Sequence, residues 1–165
     1  MKRLSARGQK WLKGFHLFFA CLWVGGAVGA TLMIFCMKPT YGMQLHGINQ
    51  SINFIDFFVI IPGNCGILLT GLIYSSLTSW GWFRHKWIIV KWAIGIYGMV
   101  FGIIWLGPWA SNLEHISKAK GISALSNPAY LHNQRMLYWW GSFQVATIIF
   151  AIFISALRPW KSKKT

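Results

Sequence analysis

Four stretches of this chain are apolar for longer than a soluble core helix needs, and that fixes the solvent in which it must fold. They cover about 14–37, 52–77, 83–108 and 131–157, each longer than the roughly 20 residues that carry a helix across a bilayer. In hydrocarbon every backbone N–H and C=O must be satisfied internally, so each run is read as a helix. Residues 1–165 hold only two acids, Asp56 and Glu114, and 55% of the side chains are hydrophobic. The expected fold is therefore an all-α, four-helix transmembrane bundle in one domain. The basic start and the small residues Ala27-Val-Gly-Ala30 imitate a signal peptide. The apolar run continues through Met33, Phe35 and Met37, however, so it is read as a retained first span.

Charge orients the bundle. Twelve of the sixteen Lys and Arg fall in three places: the N-terminus (Lys2, Arg3, Arg7, Lys10, Lys13), the middle turn (Arg84, Lys86, Lys91) and the tail (Arg158, Lys161, Lys163, Lys164). With four spans these lie on one side, and the positive-inside rule makes that side, with both termini, cytoplasmic. A formal charge of +14 so distributed suits anionic headgroups, at about 1 kcal/mol per well-placed charge. The bilayer is the expected partner, and nucleic acid is not. Cys21, Cys36 and Cys65 lie within the runs, are odd in number and form no C-x-x-C pair, so they read as small buried hydrophobes. No G-x-S-x-G, Walker loop, H-E-x-x-H or carboxylate pair is present, which removes the common hydrolase templates.

Lys91 stands where a lysine is costly, about one turn inside the third run. On a helix it shares a face with Gly95, Gly98 and Gly102, a cation above a glycine-floored groove. His16 lies about one turn into the first run from the same side, and a rise of about 1.5 Å per residue puts the two at comparable depth. Imidazole and an unprotonated amine both ligate iron, and a porphyrin needs a flat slot between helices. The sequence thus permits a haem b on His16 and Lys91, with Arg84 and Lys86 placed to hold its propionates. Two plainer readings stay open: Lys91 snorkelling to the headgroups, and His16 as an interfacial histidine on a backbone carbonyl.

A second polar group gathers at the opposite ends of the spans: His46, Asp56, Glu114, His115, His132 and Arg135. Asp56 is the only acid inside a run, and Arg135 is its expected ion-pair partner. The functional version of this group is a quinone or proton site, or a second haem on His46 and His132; solvated loop histidines are the alternative. Met37, Met43 and His46 form a weaker copper set. Pro62 and Gly63 near the middle of the second run are expected to kink it, and Gly25 and Gly29 form a G-x-x-x-G for close helix approach. A broken second span with Asn64 also leaves open a small transporter, made of one chain or a homo-oligomer.

Several short motifs add a likeness. Trp11-Leu-Lys-Gly-Phe-His16 followed by Leu22-Trp-Val-Gly-Gly26 resembles the first helix of HemJ-type protoporphyrinogen oxidases and of copper-resistance D-type membrane domains. Ile61-Pro62, Leu69-Thr-Gly-Leu72, Gly81-Trp82 and Trp87-Ile-Ile-Val-Lys91 follow the same plan. Asp56, Trp105-Leu-Gly-Pro108, His132 to Arg135 and Arg158-Pro159-Trp160 are similar to an uncharacterised family of bacterial four-span membrane proteins, which implies a bacterial inner-membrane location. The HemJ likeness implies a haem b with axial ligands at His16 and Lys91. HemJ-type proteins also carry a third-span histidine and a fourth-span Asn-Glu pair, where this chain has Ile96-Tyr97-Gly98 and Trp139-Trp140-Gly141. What carries over is therefore a haem cradle in redox chemistry, passing electrons or oxidising a quinol or porphyrinogen-like substrate. The competing expectation is a transporter or a non-catalytic partner subunit of a membrane complex.

Overall fold

The computed structural model describes residues 4–78, 82, 85–157 and 160. Within them the chain is helical and contains no strand. Four helices are long and apolar enough to cross a membrane: Ala6–Cys36, Gly42–Leu77, Lys86–Ser126 and Pro128–Leu157. They run alternately up and down, so the starts of the first and third spans lie with the ends of the second and fourth. The backbone N–H of Leu4 joins two of these ends by donating to the Leu77 carbonyl at 3.1 Å. This is the basic end of the bundle.

The helices extend beyond the apolar runs because their polar ends are capped and amphipathic. Ser5 Oγ accepts the Gly8 N–H at 3.2 Å, and Asn127 Oδ1 accepts the N–H groups of Ala129 and Tyr130, as N-cap residues do. Away from the basic end, Gly42–Ile55 packs along Gly107–Lys120, burying Leu45, Asn49 and Ile52 beside Ala110 and Leu113. The stretch holding His46 is therefore helical, and the polar segment after Pro108 runs as the helix Gly107–Lys120 followed by a 3-10 turn over Gly121–Ser126. Gly121 turns this corner at φ +56, a conformation that glycine adopts without steric cost. Its Cα lies 2.7 Å from where a Cβ on Gly42 would stand, so two backbones touch there.

Three spans widen into π-turns: Asp56–Ile60, Gly102–Leu106 and Leu137–Gly141. The first two directly precede Pro62 and Pro108. Proline donates no N–H and its ring collides with the carbonyl four residues back; the wider turn relieves the collision, with Ile61 and Gly107 bonding five residues back to Asp56 and Gly102. The expected break at Pro62 is thus a bulge in an otherwise continuous helix.

Small residues set how closely the spans approach, but not those of the G-x-x-x-G. Gly25 is exposed, and no atom stands within 4 Å of a Cβ built on Gly25 or Gly29. The buried stripe one residue over, Trp23, Gly26, Ala27 and Ala30, makes the contact. A Cβ on Gly26 would meet Ile60 Cγ1 at 2.8 Å and Val59 Cγ1 at 3.1 Å. Gly26→Leu is expected to destabilise the bundle by about 1–3 kcal/mol, and Gly25→Leu by less than about 0.5 kcal/mol. Thermal unfolding of the two variants in detergent checks this contrast.

The interior is unevenly filled. A large cluster around Leu45, Ile52, Leu113, Tyr130 and Leu137 closes the far half. It is tied by Asn49, whose Nδ2 donates to the Leu113 carbonyl at 3.3 Å and to Tyr130 Oη at 3.1 Å. Toward the basic end the buried apolar core shrinks to Trp87, Ile88 and Ile154. The outside carries Phe15, Phe18, Phe57, Phe58, Phe150 and Phe153, all more than half exposed, the surface that lipid rather than water solvates.

Candidate functional site

Where the core thins, the bundle holds a cavity of about 500 Å³, within the size range of cofactor and small-ligand sites. All four spans line it. Lys10, Lys13 and His16 come from the first, Leu68, Gly71 and Tyr74 from the second, Trp87, Lys91 and Trp92 from the third, and Ser155 from the fourth. His16 and Lys91, 75 positions apart in sequence, thus share one chamber.

The His16 ring is oriented by its neighbours. Nδ1 lies 2.7 Å from Thr70 Oγ1, and that hydroxyl is 2.6 Å from the Gly66 carbonyl. A carbonyl only accepts, so the single Thr70 proton goes to Gly66, and the hydroxyl oxygen receives the proton on His16 Nδ1. Between the two neutral tautomers this chain of bonds selects the one with its proton on Nδ1 and a lone pair on Nε2. Tyr74 meets the same ring edge-on with centroids 5.8 Å apart. The hydrogen-bonding partner of His16 is thus a threonine side chain, not the backbone carbonyl that sequence alone left open.

Lys91 is half-buried, and its Nζ donates to Ser155 Oγ at 2.8 Å and stands 5.9 Å from the Trp87 ring centroid. The contact with Ser155 draws the lysine toward the fourth span across the chamber. Trp92 stacks on Trp82 with centroids 5.5 Å apart and planes 14° from parallel.

The glycine-floored groove is filled by neighbouring side chains. Gly95 receives Leu68, whose Cδ2 would lie 2.9 Å from an added Cβ. Gly98 receives Trp23 and the amides of Gln144 and Asn64. Neither glycine lines the chamber of Lys91. Lys86 is exposed at the start of its helix and does not line it either, and Arg84 lies outside the described residues. Lys10 and Lys13 supply the cationic rim instead.

The outer polar group is dispersed. Arg135, His115 and His132 are exposed, and among the described residues the Asp56 side chain forms no ion pair or hydrogen bond. The expected Asp56–Arg135 pair is therefore not made. His46 is half-buried with Nδ1 enclosed, in contrast to the exposed His132. Glu114 instead accepts from Asn53 Nδ2 at 2.6 Å, and Ser111 Oγ donates to Asn53 Oδ1 at 3.1 Å. Among the described residues no three His, Cys, Asp or Glu side chains cluster as a metal site.

Sequence reasoning passed over Ser155 and Gln144, and gave Thr70 and Asn64 no part beside His16 or the glycine groove. Each is a polar side chain inside an apolar run, the signal that had singled out Lys91. No protein-family model, curated protein or solved structure matches this chain.

Proposed function

We propose that this is a membrane-embedded b-type haem protein working in redox chemistry. The observation that carries the reading is a histidine whose Nδ1 is engaged by Thr70, leaving Nε2 as a lone-pair donor in a chamber shared with an amine. Metal-bound histidines are typically held through their other ring nitrogen in this way. The residues fit the group: His16 and Lys91 would hold iron, and Lys10 and Lys13 would meet the two propionates at the rim. Leu68, Gly71, Trp87 and Trp92 provide apolar walls.

Bound haem supplies one-electron chemistry at iron. The chain's own residues set its conditions. Thr70 fixes the tautomer and direction of His16. Ser155 holds Lys91 toward the fourth span, and the lysine must shed its proton before it donates a lone pair to a metal. The apolar walls exclude water. A hydrophobic reductant, of quinol or porphyrinogen type, would exchange electrons at the chamber.

The direct test is the visible spectrum of gently solubilised protein, oxidised and dithionite-reduced, with a pyridine haemochrome assay. A stoichiometric b-type signal is expected. A protein still colourless after haem supplementation sinks the reading and leaves a transporter or a partner subunit as the alternatives. Lys91→Met is expected to keep the haem but shift the oxidised spectrum, as one axial ligand changes from amine to thioether. An unchanged spectrum would return Lys91 to a snorkelling role.

A further inference from the structure

Midway along the bundle, away from the His16 chamber, lies a second cavity of about 70 Å³. Its wall draws on all three π-turns: Asp56 and Ile60, Gly102 and Leu106, Leu137 and Gly141. π-turns are rare and concentrate at functional sites. Prolines 62 and 108, just beyond two of them, offer no N–H to the preceding carbonyls, which adds unclaimed acceptors to this level of the bundle. Where membrane helices depart from the regular α-helical ladder, backbone oxygens can become available to cations.

The side chains on the wall point to the same chemistry. Asp56 is the one titratable group among the lining residues, and its carboxylate has no partner among the described residues. Its Oδ2 lies 3.4 Å from where a Cβ on Gly107 would stand, beside the Gly102 carbonyl at 3.3 Å from the same point. Thr31 also lines the cavity, and its hydroxyl donates to the Ala27 carbonyl at 2.8 Å, leaving only lone pairs. Gln144 is 5% exposed and its Oε1 is buried with no hydrogen-bond partner. Half a turn of that amide exchanges its nitrogen and oxygen without changing its shape. A carboxylate, a spent hydroxyl and an amide oxygen are all acceptors, and an unmatched acceptor in hydrocarbon is costly. One proton would satisfy one oxygen. A hard cation satisfies several at once.

We propose that this cavity binds one alkali-metal cation, with the Asp56 carboxylate as the charged ligand and Thr31 and Gln144 as neutral oxygen ligands. The site stands apart from the His16 chamber and does not depend on the redox reading. A cation bound only to the folded state raises its stability with concentration. The test is thermal unfolding of the full chain in detergent, titrated with sodium and potassium chloride at ionic strength held constant with choline chloride. The expected result is a saturable rise in the unfolding temperature with sodium or potassium over choline. Asp56→Asn, close in shape but neutral, is expected to weaken the apparent affinity at least about tenfold, since ligand charge dominates such sites. Thr31→Val, which removes a hydroxyl bonded within its own helix, is expected to weaken it several-fold.

No cation-specific rise overturns the proposal, as does an Asp56→Asn protein that responds like the parent. Infrared spectroscopy decides the nearest rival. A protonated-carboxyl stretch that disappears in Asp56→Asn, with no response to either cation, makes this a proton site instead.

Discussion

Gly63→Val is expected to leave little folded protein. A Cβ at this position would stand 2.7 Å from the Trp23 nitrogen and 3.0 Å from its Cα. These are backbone atoms of the first span, which no rotamer change can move. Relief requires the first and second spans to separate, and with them the buried contacts of Trp23, Ala27 and Ile148. The cost is expected to exceed about 3 kcal/mol, the upper end for overpacking a well-filled interior. Loss of the monodisperse peak in size-exclusion chromatography measures it. Gly14→Ala, with no atom within 4 Å of its Cβ, serves as the neutral control. A Gly63→Val protein as stable as the parent would mean that the two spans do not meet here.

His16→Ala is expected to abolish haem retention while the bundle still assembles. Among the described residues that line the chamber, the imidazole is the side chain whose neutral form offers a ring-nitrogen lone pair. Its removal deletes a bond to Thr70 but leaves the Thr70 hydroxyl donating to Gly66. Thr70→Val gives the graded version. The imidazole stays, its tautomer is no longer selected, and haem affinity is expected to fall about 10–100-fold, as when other second partners of metal-bound histidines are lost. Haem-to-protein ratio after purification, read beside the size-exclusion profile, separates ligand loss from unfolding. A His16→Ala protein that keeps its full b-type spectrum would remove His16 from the site.

The fold was legible because hydropathy over whole runs depends on composition alone. Four apolar stretches needed four helices whatever their detailed packing. The faces were not equally legible. Gly95 and Gly98 share a helical face with Lys91, yet which neighbour fills a glycine's space is decided by the opposite helix: Leu68 for one, Trp23 and Gln144 for the other. The π-turns add a second difficulty. Each inserts an extra residue, so a face traced at 3.6 residues per turn rotates when it crosses Gly102 or Asp56. The convergence of His16 and Lys91 survived because both lie on the basic-end side of every π-turn. Thr70 and Ser155 were visible as polar residues in apolar runs, but only the packed structure gives them partners. Asp56 and Arg135 failed as a pair because similar distance from a span end says nothing of direction around the helix.

The unequal filling of the bundle also bears on traffic. The chamber of His16 and Lys91 narrows inward at Ile67, where the packed residues Trp23, Ala27 and Ile148 begin. A molecule that enters must leave by the way it came, unless that packing is opened at the cost of its buried contacts. A small ion would also have to shed its water to enter that apolar packing. In this conformation a bulky molecule can visit the chamber but finds no open way through the bundle beyond it.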